Sequence, residues 1–241
     1  MLEQTRGIFL KQTKYSDSQI IAEIFTEKFG KQAFILRHSS KSKTLPKKNI
    51  LQPLFLLDLQ VYYKQNREIQ RIKEISHNPV LSDLPFNISK TSIAIFVSEI
   101  LYKVIKEEEE NSHLFEFLYN SILLLDNIES GIGNYHIIFL YELCKFLGFY
   151  PKNNFSSEKK FFNLIEGKFY SIQADSRYYL DEETSKLISI LHSKGFSNIE
   201  NFSFSKNQKK TILDSIIEYY KFHIPNMGKI KSLEILQEIF S

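Results

Sequence analysis

The side chains of this chain whose types and spacing suggest chemistry are its cations. Lys11 and Lys14 fall beside Tyr15, Lys64 falls close to Arg67, and Arg37, Lys41, Lys43, Lys47 and Lys48 cluster between the two groups. Ammonium and guanidinium groups set out in this way displace condensed counterions along a phosphate backbone, which gives sequence-independent, salt-sensitive affinity. Tyr15 supplies a ring on which a base can stack. Lysine in a solvated loop also serves solubility alone, so the position of the loops decides between the two readings. The formal charge is only +3, from 31 Lys+Arg against 28 Asp+Glu, but it is unevenly held. Residues 1–80 carry 14 basic and 7 acidic side chains, a balance of +7, whereas residues 81–241 carry 17 and 21, a balance of −4. A basic front joined to an acidic back points to a polyanionic partner for the first part alone.

Other kinds of chemistry find no support in the pattern. Gly131-Ile132-Gly133 lacks the third glycine of a dinucleotide-binding turn and follows a helical stretch, so it reads as a helix–helix turn. The phosphate-cradling G-x-x-x-x-G-K-[ST] does not occur. His38, His77, His113, His136, His192 and His223 are dispersed, and with one cysteine they offer no zinc-ligand spacing. That cysteine, Cys144, sits on an apolar helical stripe and reads as a buried structural thiol. Residues 107–110, all Glu, read as a solvated helix end. No catalytic residue, metal or cofactor is expected, and binding rather than catalysis is the expected mode of action.

The elements that must position the cations follow from periodicity. With 43% apolar and 24% charged residues, the chain has the composition of a globular protein able to build a core. Residues 7–13, 19–26 and 31–37 alternate with period two and are separated by turn chemistry, residues 14–18 and the Phe29-Gly30-Lys31 turn. Two more strands follow at 53–63 and 68–76. Five strands in about eighty residues predict a small closed barrel such as the OB-fold, an SH3-like barrel being the alternative on topology alone. Lys11, Lys14 and Tyr15 then lie in the loop after the first strand, and Lys64 and Arg67 in the loop after the fourth. In an OB-fold these loops flank the nucleic-acid face.

Beyond residue 87 the period changes to 3.6. Helices are expected from Asn87 or Ser89, through Leu114–Leu125 to a stop by Gly131, from near Asn134 to Gly148, from Asp181 to about His192, from Ser205 with a capping box to Gln208, and over 230–240. A β-hairpin is expected over 161–172, with Glu166-Gly167 at its turn. The expected class is therefore α+β: a barrel over 1–80, a helical domain over 81–241 containing a small hairpin module at about 152–180, and a joint at 81–85. No apolar run approaches the ~18 residues of a membrane span, and the first residues lack a secretory pattern. A cytoplasmic protein is expected.

Several segments in order resemble the RecO family of DNA repair and recombination mediators. They are Gly7-Ile8-Phe9-Leu10-Lys11, Tyr15-Ser16-Asp17-Ser18 and Ile24-Phe25-Thr26-Glu27-Lys28-Phe29-Gly30. Arg37-His38-Ser39-Ser40-Lys41-Ser42, Leu51-Gln52-Pro53, Leu140-Tyr141-Glu142-Leu143 and Leu147-Gly148-Phe149-Tyr150-Pro151 continue the match. The resemblance implies an N-terminal OB-fold, binding and annealing of single- and double-stranded DNA, and a nucleoid-associated role. It also implies partnership with RecR, indirect action on RecA, and capture of the acidic tail of single-stranded DNA-binding protein. That tail needs an apolar slot rimmed by cations, which the resemblance puts in the helical domain near Lys145 and Lys152. Many family members carry a four-cysteine zinc module after Pro151; residues 152–160 here contain no cysteine, so the hairpin is expected to be held by apolar packing. A protein-interaction scaffold with an incidental basic surface, or an RNA-binding barrel, are the competing readings.

Overall fold

The computed structural model describes residues 1–37, 51–106, 109–172, 175 and 177–240. These fall into two compact units, Met1–Asn127 and Ile128–Ser241.

In the first unit, β1 (Leu2–Ser16), β2 (Gln19–Thr26), β3 (Gly30–Arg37), β4 (Leu56–Tyr62) and β5 (Ile69–His77) close into a barrel in the order β1-β2-β3-β5-β4. β1 pairs with both β4 and β2, and the single parallel pair is β3 with β5. This is the five-stranded barrel expected from the sequence. Alternating residues such as Ile8, Ile24, Phe34 and Val61 fill its interior. Gly7 sits where β1 passes from one partner to the other, pairing with Thr26 and Leu57. A Cβ there would lie 2.7 Å from a methyl of Ile24 and 2.9 Å from one of Leu59, so the crossing requires glycine.

The first strand is longer than its periodicity predicts. Residues 14–18, expected as a gap, instead extend the β1–β2 ladder to Ser16 opposite Gln19, leaving only Asp17-Ser18 as the turn. Residues 11–16 are exposed on both sides, so no hydrophobic alternation marks them, yet their backbone groups are paired.

Two helices complete this unit, α1 (Ile88–Val104) and α2 (Ser112–Asn127). Asn87 caps α1 by accepting from the amides of Ser89 and Lys90. The segment 81–85, expected as a joint, is pinned to the end of α2. The Asp126 carboxylate accepts from the amides of Ser82, Asp83 and Leu84 at 2.7–2.9 Å and from the Ser82 hydroxyl. Lys90 is 1% exposed; its ammonium donates to the Asp126 carbonyl and pairs with Asp83, both at 2.7 Å. A buried ammonium is tolerable only with such partners. Arg6 ties β1 to α2. Its guanidinium lies over Phe115 and Tyr119, bonds Glu27 through two nitrogens, and pairs with Glu116.

The second unit comprises α3 (Ile132–Phe146), a hairpin of β6 (Phe161–Asn163) and β7 (Lys168–Tyr170), α4 (Glu182–Lys194), a 3₁₀ turn (Phe196–Asn201), α5 (Lys206–His223) and α6 (Ser232–Phe240). Asp181 caps α4, and the expected Ser205–Gln208 capping box opens α5. α3 starts before Asn134, at a left-handed Gly131. The Asn134 amide is instead committed to the carbonyls of Ile199 and Phe202. Apolar packing is only part of what holds the hairpin. Asn154 brackets Phe169 with one bond to its N–H and one to its carbonyl, at 2.8 and 2.9 Å. Asn163 accepts from Ile165 and Glu166 across the turn, and Ser185 accepts from Phe162. No helix among the described residues is long and apolar enough to cross a membrane.

Candidate nucleic-acid interface

The barrel's strand registers assemble one outward row that the sequence does not reveal. Tyr62 on β4 stands opposite Arg71 on β5, Arg71 beside Ile35 on β3, Ile35 opposite Ile21 on β2, and Ile21 opposite Thr13 on β1. Their inward neighbours Val61, Ile72, Leu36 and Ala22 are buried, whereas Thr13, Tyr62 and Arg71 are exposed and Ile21 and Ile35 half-buried. At about 4.8 Å per strand step, the row spans on the order of 20 Å. Its β1 end leads into the hairpin carrying Tyr15, which is 61% exposed. Its β4 end leads into the β4–β5 loop carrying Lys64 and Arg67. Tyr15 and Tyr62 are the barrel's two exposed aromatic residues among those described.

The sequence-predicted cations meet different fates in this arrangement. Lys64 and Arg67 are exposed and have no ion-pair partner among the described residues, which leaves both charges available to a ligand. The loop backbone beneath them is fixed by Gln70, which is 1% exposed and donates to the carbonyls of Lys64 and Arg67. Lys14 and Tyr15 lie on strand β1, a correction to their expected place in a loop, because the ladder continues past them. Lys14 holds an exposed pair with Asp17 at 2.8 Å, a contact that water and salt weaken readily. Lys11 also lies on the strand, and its ammonium sits 4.3 Å over the Tyr102 ring of α1. Lys11 thus has an internal role competing with any ligand. Arg37 places its backbone opposite Gln19, at the hairpin end of β2. Lys41, Lys43, Lys47 and Lys48 lie outside the described residues.

Beside the row is a cleft of about 630 Å³ bordered by the β2–β3 turn and the β4–β5 loop. Its lining mixes Lys28, Lys31 and Arg67 with Glu23, Glu68, Glu109 and Glu110. Lys31 is engaged, donating to the Tyr102 and Ile105 carbonyls at the end of α1. A polyanion is therefore better accommodated along the row than in this cleft. Arg71 and Tyr62 were missed by sequence reasoning. Alternation within 69–77 marks Arg71 as outward, but only the β3–β5 and β4–β5 registers place it between Tyr62 and Ile35.

In the helical unit, Lys145 and Lys152 are both exposed, Lys145 in the last turn of α3 and Lys152 just past Pro151. The Lys152 amide donates to the Gly167 carbonyl at 2.7 Å. A groove of about 530 Å³ lies elsewhere, between the starts of α3 and α5 and the length of α6. Leu213, Leu236 and Phe240 give it apolar walls, and Lys206, Lys209 and Lys210 line its rim together with Glu234 and Glu238. Three lysines in the first turns of α5 oppose the helix dipole, and α5 has no acidic residue there to offset them. Burial lowers the Lys209 ammonium's pKa, and burial with the nearby Lys209 charge pushes His136 down to about 3, so the imidazole is neutral. No group of three His, Cys, Asp or Glu that could hold a metal occurs among the described residues.

The sequence also matches known proteins. A family model described as "Recombination protein O N terminal" matches residues 1–78, and one described as "Recombination protein O C terminal" matches residues 85–234. The chain is similar to the DNA repair protein RecO of Azobacteroides pseudotrichonymphae, 35% identical over 240 residues and the whole of both chains. It is also similar to the proteins of that name from Bacteroides fragilis, 33% identical over the whole of both chains, and Flavobacterium psychrophilum, 33% identical over 99% of each.

Proposed function

The chain belongs to the RecO family of DNA repair and recombination proteins, and from that premise we propose that it is a mediator acting by binding: it holds and anneals single-stranded DNA, works with RecR, and assists loading of RecA in the bacterial cytoplasm, at the nucleoid. The observation that carries this reading is the outward row on the barrel, bounded at one end by Tyr15 and at the other by Lys64 and Arg67, two cations with no ion-pair partner among the described residues. A strand crossing it meets phosphate-binding charge at the loops and apolar or aromatic surface between them, the combination that binds unpaired nucleic acid. Residues 1–80 are the DNA-binding part and residues 81–241 the partner-binding part. Titrating a labelled oligothymidylate with the full chain at several salt concentrations tests the reading. Affinity should fall steeply as salt rises, with a log–log slope of about −0.7 per phosphate neutralised. No measurable binding at low salt would favour the protein-interaction scaffold instead.

The acidic tail of single-stranded DNA-binding protein is assigned to the helical unit. Lys145 and Lys152 are one candidate pair, but the groove of α3, α5 and α6 joins cations to apolar walls and is the preferred slot. Lys209→Glu with Lys210→Glu should weaken binding of a tail peptide more than tenfold, about 1.4 kcal/mol. Lys145→Glu with Lys152→Glu should leave it within twofold, and the opposite ranking would move the slot to the end of α3. Neither pair should change affinity for naked DNA, which the barrel supplies.

A further inference from the structure

We propose that Tyr62 and Arg71 give the barrel a contact with single strands that duplex DNA cannot make. The inference rests on the DNA-binding reading and goes beyond it, because the cationic loops alone do not distinguish the two forms. Lysine and arginine in exposed loops meet phosphates, and phosphates are present on both. A contact confined to single strands requires a group that touches a base face, which duplex stacking covers.

Tyr62 is such a group. It ends β4 on the outward face, is 47% exposed, and has the guanidinium-bearing Arg71 opposite it across the β4–β5 ladder. Leaving a ring of this size half in water forgoes burial, and the barrel does so at only one other described position, Tyr15, in the hairpin beyond the β1 end of the row. Arg71, itself exposed and beside half-buried Ile35, carries both a charge and a planar face. A base released from a duplex can lay one face on the Tyr62 ring while its phosphate reaches Arg71. In a duplex that base face is covered by its stacked neighbour, so the ring finds nothing to stack upon.

The test uses the full chain with a labelled oligothymidylate and a labelled duplex of equal length. Tyr62→Ala should weaken single-strand binding by about tenfold, as loss of one stacked base predicts, and duplex binding by less than twofold. Tyr62→Phe should bind like the parent, since the ring and not the hydroxyl is used. Tyr62→Leu, which keeps an apolar side chain on the strand, should lose as much as the alanine variant and separates stacking from any loss of local structure. Arg71→Gln should weaken both ligands, the single strand more. Equal losses for strand and duplex in Tyr62→Ala, or unchanged single-strand affinity, would overturn the inference while leaving the DNA-binding reading standing. Absence of binding by the parent protein would remove both.

Discussion

Replacing Asp126 with alanine is expected to lower the unfolding free energy by about 3–5 kcal/mol. The substitution deletes four accepted bonds at once and leaves the amides of Ser82, Asp83 and Leu84 without their acceptor. It also loosens the carbonyl to which the buried Lys90 ammonium is anchored. Urea unfolding should show a lower midpoint with unchanged slope, and a loss below 1 kcal/mol would mean that water replaces the carboxylate without cost. The same group gives stability a defined pH dependence. Burial alone would push the Asp126 carboxyl up, but the N–H groups of Leu84, Ser82 and Asp83 and the Ser82 hydroxyl together hold it below the ordinary range. Its contribution is therefore fully present above the unfolded value of about 3.9 and is lost as pH falls through the lower folded value. Asp126→Asn, which cannot ionise, should flatten this acid limb.

Reversing Lys14, Lys64 and Arg67 together to glutamate should weaken single-strand binding by about a hundredfold near 0.1 M salt and flatten the log–log salt slope by about 2. Among the described residues, Lys64 and Arg67 of the β4–β5 loop have no ion-pair partner, and Lys14 pairs with the exposed Asp17. Lys11→Met should cost far less, because the Lys11 ammonium is already spent on the Tyr102 ring. Fluorescence anisotropy across a salt series separates these cases. A loss below threefold for the triple variant, or an unchanged slope, would place the polyanion elsewhere on the chain.

Local signals made much of the fold legible. Asn87, Asp181 and the Ser205–Gln208 box mark helix starts because a cap is made within three or four residues. The 161–172 hairpin is legible for the same reason. What escaped was decided over longer distances. The end of β1 looks like a turn in isolation and is a strand only because β2 pairs with it. Asn134 looks like the start of a helix but lies two residues inside it, its side-chain amide consumed by carbonyls more than sixty residues away. At the interface, the charges of Lys64 and Arg67 could be read from spacing, but the competition of Tyr102 for Lys11 could not. The row containing Tyr62 and Arg71 exists only once a parallel β3–β5 pair brings residues 33–35 beside 69–71.

The hairpin secured by Asn154, Asn163 and Ser185 rests on groups that peroxide does not oxidise. A four-cysteine module exposes its fold to peroxide, since oxidising one thiolate ejects the ion and unravels the loop it ties. Amide and hydroxyl groups undergo no such chemistry. The chain's one cysteine, Cys144, is 1% exposed, and burial pushes its thiol well above the ordinary range, so the reactive thiolate is scarcely formed. The hairpin is thus held by bonds in which no thiol takes part.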